Sequence, residues 1–354
     1  LGPPHARLIH INWRHMKLTL AARLLLLLPL SAGAQTSSVT IYGKVDQGFG
    51  KAIGSSTREI FDAGGVRTSR IGFRGVEDLG GGYSSGFILE HRLAADTGMS
   101  TSPTVFWQGE SDVYLTTPYG RVTLGRQFTP SFSLVQNVID PWNGETVAAL
   151  RAVAMQGPQT TRIGGTLGPP APARVRFASM LRYDYNSSFG LNVAAAIAQA
   201  STNGGPDRPY SLAASYTFGS WLFAAAYENA ADVQDKLWNL GIRYALGTTG
   251  TLRAGYSFGQ TGVRANGQSS DVRAWLVATT FVVGVGNIRT GYATSVIRDP
   301  SNADAGGDDA VAKKLSLGYE YFLSKRTKLY ADVAHDRRAV RERTGFDMGI
   351  QHNF

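Results

Sequence analysis

"TSRIGFRGVEDLGGG", residues 68–82, carries two kinds of side chain in strict alternation. Ile71 and Phe73 fall on one side of an extended chain and Arg70 and Arg74 on the other, because successive side chains of a strand point to opposite faces. The stretch closes on Glu77, Asp78 and three glycines, which suits a tight turn. A strand that is apolar on one face and cationic on the other needs surroundings that differ across the sheet.

The alternation recurs along the chain. "VTIYGKVDQGF" (39–49) sets Val39, Ile41, Val45 and Phe49 against Thr40, Tyr42, Lys44 and Asp46. "TLRAGYSFG" (251–259) sets Leu252, Ala254, Tyr256 and Phe258 against Arg253 and Ser257, and "KLSLGYEYF" (314–322) sets Leu315, Leu317, Tyr319 and Tyr321 against Ser316 and Glu320. Short connections such as "PYG" (118–120), "TFGS" (217–220) and "LGTTG" (246–250) alternate with long polar ones near 51–66, 96–105, 129–174, 260–270, 298–312 and 336–344. The pattern predicts an all-β fold: a transmembrane, antiparallel, up-and-down β-barrel of about 16 strands, each about 10 residues long. Closure makes such a sheet compatible with lipid, since every backbone N–H and C=O then finds a partner. Aromatics beside the turns, as in "SYTFGSWLF" (215–223), suit the membrane interfaces.

Composition agrees. The 354 residues include 42 glycines, 15 tyrosines, 16 phenylalanines and no cysteine, as expected of a turn-rich β protein that does without disulfides. Met16, Lys17 and Arg23 precede the apolar run Leu24–Leu30, and "SAGA" (31–34) follows. This reads as a signal peptide over 16–34, with residues 1–15 an upstream artefact of start-site choice and 35–354 the barrel domain. Arg7, Arg14, Lys17 and Arg23 all fall before residue 35, which reduces the formal charge from +9 to +5. That balance does not argue for nucleic acid.

Catalysis finds little support. Beyond residue 34 the histidines are His91, His335 and His352, with neither an H-E-x-x-H zinc motif nor a cysteine. Neither a catalytic site, a metal nor a cofactor is expected. "GVGNIRTG" (284–291) lacks the spacing of a nucleotide-binding loop.

"SSVTIYG" (37–43), "SRIGFRGVEDLGGG" (69–82), "GRVTLGRQF" (120–128), "LRYDYNSSFGLN" (181–192) and the terminal "FDMGIQHNF" (346–354) together resemble the general porins of Gram-negative bacteria, particularly their β-proteobacterial branch. The resemblance runs from Ser37 to Phe354. It implies a homotrimer of barrels in the outer membrane, amid lipid and lipopolysaccharide, with the third external loop folded into each pore. It also implies that Arg70, Lys44 and Arg182 belong to a basic pore wall, and that Phe354 carries the signal for the barrel assembly machinery.

Parity extends that wall. If Ile71 and Phe73 face lipid, Arg70 and Arg74 face the lumen; an arginine at mid-bilayer on the lipid face would cost about 2–4 kcal/mol. "RVRFASMLRYDY" (174–185) places Val175, Phe177, Leu181, Tyr183 and Tyr185 outward, and Arg174, Arg176, Met180, Arg182 and Asp184 inward. In the third loop, 129–174, Asp140 and Glu145 are expected to form an acidic wall opposite. The family's wall also draws on the strand near 106–117, yet no lysine or arginine lies between Arg92 and Arg121, and Glu110 and Asp112 stand there instead. Arg92 compensates in this reading. The expected function is passive diffusion of small hydrophilic solutes and ions, with a weak to moderate preference for anions. A substrate-specific channel and a closed structural or adhesive barrel are the alternatives.

Overall fold

The computed structural model describes residues 37–56, 58–61, 69–156, 161–163, 166–167, 174–203, 207–230, 236–261, 270–298, 309–339 and 341–354. The expected upstream stretch 1–15 and the expected signal peptide 16–34 lie outside them. Sixteen long strands run in sequence order: β1 Ser37–Lys51, β2 Arg70–Gly80, β3 Tyr83–Ala94, β4 Glu110–Thr117, β5 Gly120–Phe128, β6 Arg176–Asn186, β7 Leu191–Ala198 and β8 Tyr210–Phe218, then β9 Trp221–Asn229, β10 Lys236–Ala245, β11 Gly250–Thr261, β12 Ser270–Val283, β13 Gly286–Arg298, β14 Asp309–Phe322, β15 Thr327–Asp336 and β16 Thr344–Asn353. Each pairs antiparallel with its neighbours, and β16 returns to β1 from Lys44↔Asn353 to Lys51↔Phe346, so the sheet closes. Gly43 and Phe354 exchange backbone hydrogen bonds of 3.1 and 3.0 Å just past that ladder. The short segments Glu59–Phe61 and Met99–Ser100 pair with β1 and β3.

The side-chain distribution reverses that of a water-soluble protein. Val39 is 69 %, Leu317 51 % and Ile350 47 % exposed, whereas Lys44, Asp46, Glu90, Arg289 and Asp332 are buried. Alternation therefore turns apolar side chains outward and charge inward, the arrangement a lipid exterior requires. The β2–β3 turn uses Gly80, Gly81 and Gly82 at φ of 79°, 61° and 82°, a left-handed region that costs other residues energy. Asp78 caps it by accepting the Gly80 N–H at 2.9 Å.

The segment between β5 and β6 is less irregular than expected. It contains a π-helical turn, Phe132–Gln136, and short helices Asn137–Ile139 and Arg151–Ala154. Val135 and Ile139, four residues apart, share a helical face and join Trp142, Leu150 and Met155 in an apolar cluster with Ala224, Leu276, Ala293 and Ala334 of the barrel's inner face.

One parity expectation fails. Phe177 is fully buried, packed with Met180, Ala196 and Ala198, rather than facing outward. The register shifts between Phe177 and Met180, and Ser179 takes φ +49°. A bulge inserts an unpaired residue and so reverses alternation on its upstream side. Leu181, Tyr183 and Tyr185, downstream, are exposed as alternation requires.

Candidate functional site

On the inner face of β1–β3, register places Lys44 opposite Arg70 and Arg70 opposite Arg92. Three cations on one rung would repel one another, and carboxylates come between them. Arg92 Nη2 meets Glu90 Oε1 at 2.8 Å, Arg70 Nε lies 3.5 Å from Glu90 Oε2, and Lys44 Nζ reaches Glu145 Oε1 at 2.6 Å. The Tyr42 hydroxyl donates to Glu90 at 3.3 Å, and the Tyr42 ring lies across Gly72, where a Cβ would come 2.5 Å from it. Arg74 stacks over the same ring at 5.3 Å. The glycine between the two arginines of β2 thus makes room for the tyrosine that both flank.

Arg182 on β6 is clamped by its own strand: Nε and Nη2 bind the Asp184 carboxylate at 2.8 and 2.6 Å, and Nη1 donates to the Phe128 carbonyl at 2.8 Å. Much of its charge is therefore neutralised locally. Arg176, upstream of the bulge, is placed by contact rather than by parity, with its guanidinium 4.0 Å over the Phe128 ring. Glu110, Asp112, Tyr114, Arg121, Arg182 and Asp184 surround a cavity of about 560 Å³.

The 129–156 segment meets this wall and the opposite one. Asp140 does not stand opposite the arginines; it is buried, and its carboxylate accepts the backbone N–H groups of Trp142, Gly144, Leu150 and Arg151 at 3.1, 3.0, 3.2 and 3.0 Å. That carboxylate organises the segment's own turn. Glu145 contacts the basic rung directly rather than from across the lumen. Burial alone would raise its carboxyl, but the Lys44 ammonium and hydrogen bond, helped by the Arg70 and Lys328 charges, hold it below the ordinary value of 4.5. Burial lowers the Arg151 guanidinium against the pull of Asp140 and Glu145.

Sequence reasoning passed over most of the β13–β16 contacts. Trp142 Nε1 donates to Asp332 at 2.7 Å, Lys314 Nζ to the Ala149 carbonyl at 2.7 Å, and Asp347 accepts the Val147 N–H at 2.8 Å. Arg289 bridges Asp332 and Glu320, each at 3.2 Å. Inward parity was the available signal for all of these, but it does not say which charges meet the segment.

A closed sheet with an apolar exterior and a charged interior defines a transmembrane β-barrel channel. The Gram-negative porin family model matches residues 19–339, and the chain belongs to that family. An outer membrane porin protein of Bordetella pertussis is 28 % identical over 96 % of this chain and 100 % of its own length. Outer membrane porin protein 32 of Delftia acidovorans is 27 % identical over the same shares. The anion-selective porin from Comamonas acidovorans superposes with a TM-score of 0.71 at 22 % identity, covering 90 % of this chain and 100 % of that one. Salmonella typhi OmpF, in complex with daunomycin, gives 0.67 at 15 % identity, covering 89 % and 97 %. The protein is a porin channel of the outer membrane, not an enzyme.

Proposed function

We propose that the channel passes small hydrophilic solutes and ions without a dedicated substrate and favours anions weakly to moderately. The observation that carries this is the single rung Lys44–Arg70–Arg92 across three adjacent strands. With Arg74, Arg176 and Arg182 nearby, it gives the β1–β6 side of the lumen a positive field. Glu90, Glu110, Asp112 and Asp184 temper that field, so the preference is modest. The 129–156 segment constricts the passage from inside, with Glu145 as its acidic contribution and Asp140 as its organiser. The anion selectivity in the name of the Comamonas acidovorans porin supports the sign. Chains assemble as a homotrimer in lipid and lipopolysaccharide, and Phe354, outward and exposed at the closing seam, is offered to the assembly machinery.

The test is the reversal potential of the purified protein in a planar bilayer under a KCl gradient. A chloride-signed potential is expected, falling toward zero in Arg92→Ala. A cation-signed potential would overturn the anion preference, an unchanged one in Arg92→Ala would remove that residue from the wall, and the absence of conductance would mean a closed barrel.

A further inference from the structure

A second group of arginines lies elsewhere on the inner wall. Arg243 of β10 stands directly opposite Arg253 of β11, which puts their Cβ atoms about 5 Å apart. Among the described residues neither forms an ion pair. Arg253 Nη1 donates to Thr280 Oγ1 at 2.8 Å. Thr280 is itself opposite Thr251 on one side and Arg289 on the other. Thr251 Oγ1, Arg253 Nε and Arg289 Nε are buried without a hydrogen-bond partner. Two unpaired guanidiniums face to face are destabilising unless an anion comes between them.

The position sets this group apart from the β1–β6 wall. Arg243 lies two residues before the end of β10, while Arg253 and Arg289 lie three residues after the starts of β11 and β13. All three are therefore at the short-turn mouth, which in outer-membrane barrels is the periplasmic one. The apolar side chains of the 129–156 segment rest one rung further in, where Ile139 packs on both Gly241 and Gly255.

The geometry points to an anion site at the periplasmic mouth, formed by Arg243 and Arg253 with Thr251 and Thr280, that takes a phosphate dianion, free or as a phosphomonoester. Planar guanidinium forks match phosphate oxygens two at a time, which a chloride ion cannot exploit. Arg289, already held by Asp332 and Glu320, adds positive potential rather than a direct contact. The inference rests on the channel reading but not on the sign of its chloride preference.

The experiment is single-channel current in KCl with inorganic phosphate titrated at pH 8 from either side of the bilayer. Phosphate added at the short-turn mouth is expected to reduce current at lower concentration than from the long-loop side, and Arg243→Gln/Arg253→Gln to raise the half-blocking concentration at least tenfold. Arg253→Lys, which keeps charge but loses the fork, should fall between, and heat-modifiable gel mobility shows that each variant is a folded barrel. Glycerol phosphate in place of phosphate separates the two sources: equal block means that the ester is accepted, and block by phosphate alone restricts the site to the free ion. Arg70→Gln serves as the contrast, since it acts on the KCl reversal potential of the channel reading and should leave the half-blocking phosphate concentration in place. No block of the wild-type channel, or block unaltered in the double variant, would overturn the site, whereas a cation-signed reversal potential with intact phosphate block would overturn the anion preference alone.

Discussion

Glu145 and Lys44 illustrate how one residue can change what a charged wall does. They bond at 2.6 Å, so the pair contributes little net field while both are ionised. Glu145 is held below 4.5, and a group whose folded value is depressed stabilises the fold fully above its unfolded value and loses that contribution as pH falls through the folded one. Protonating Glu145 also frees the Lys44 charge. Reversal potentials between pH 7 and pH 3 should become more chloride-signed, with a midpoint below 4.5, and Glu145→Gln should display the low-pH potential already at pH 7. Coincident curves for the two proteins would mean that the pair is electrically silent. Asp140 teaches the opposite lesson, for four backbone N–H groups converge on its one carboxylate and spend it on the segment's own turn rather than on an ion pair with the basic rung.

At the scale of elements, glycines decide where the 129–156 segment can lie. Gly241 and Gly255 are opposite each other on β10 and β11, and a Cβ at Gly241 would come 2.6 Å from Ile139 Cγ1, one at Gly255 2.8 Å from Met155 Sδ. The bare backbone lets the segment sit flat against the wall. Gly241→Leu should push it toward the lumen and lower the single-channel conductance, whereas Gly241→Ala should have a smaller effect; equal conductance in all three proteins would show that the contact does not set the bore. Strand parity was legible in β1, in β11, over 70–78 of β2 and over 314–321 of β14, because those stretches alternate without interruption and the register shifts of β2 and β14 fall outside them. It failed at Phe177 because a bulge is a backbone event, and nothing in "RFASMLRY" (176–183) marks Ser179 as the residue that turns left-handed. The helical turns of 132–154 went unread because each spans five residues or fewer, too short for periodicity to emerge.

Over the whole molecule, stability comes from closure. Phe354 adds two backbone bonds to Gly43 beyond the β1–β16 ladder, each contributing about 1 kcal/mol net, while the residue as a whole remains 44 % exposed. Backbone sealing and side-chain presentation are therefore separable. Phe354→Ala should unfold within a few degrees of the wild type on heating, yet accumulate several-fold less in outer membranes. Removing Phe354 altogether should lower both the unfolding temperature and the yield. Equal membrane yield for wild type and Phe354→Ala would mean that the ring is not recognised during assembly.

The sequence by itself determined the class of fold, the number of strands and the face on which each regular strand carries its charge, because alternation is a local property and lipid penalises every error in it. Arg70, Arg74, Arg92 and Lys44 could be placed on the inner face this way. Only the tertiary structure decided which charges meet: that Lys44, Arg70 and Arg92 share a rung, that Glu145 answers Lys44, that Asp184 occupies Arg182, and that Asp140 turns inward on its own segment. Register between strands and the path of a long connection depend on closure of the entire sheet, and no single strand carries that information.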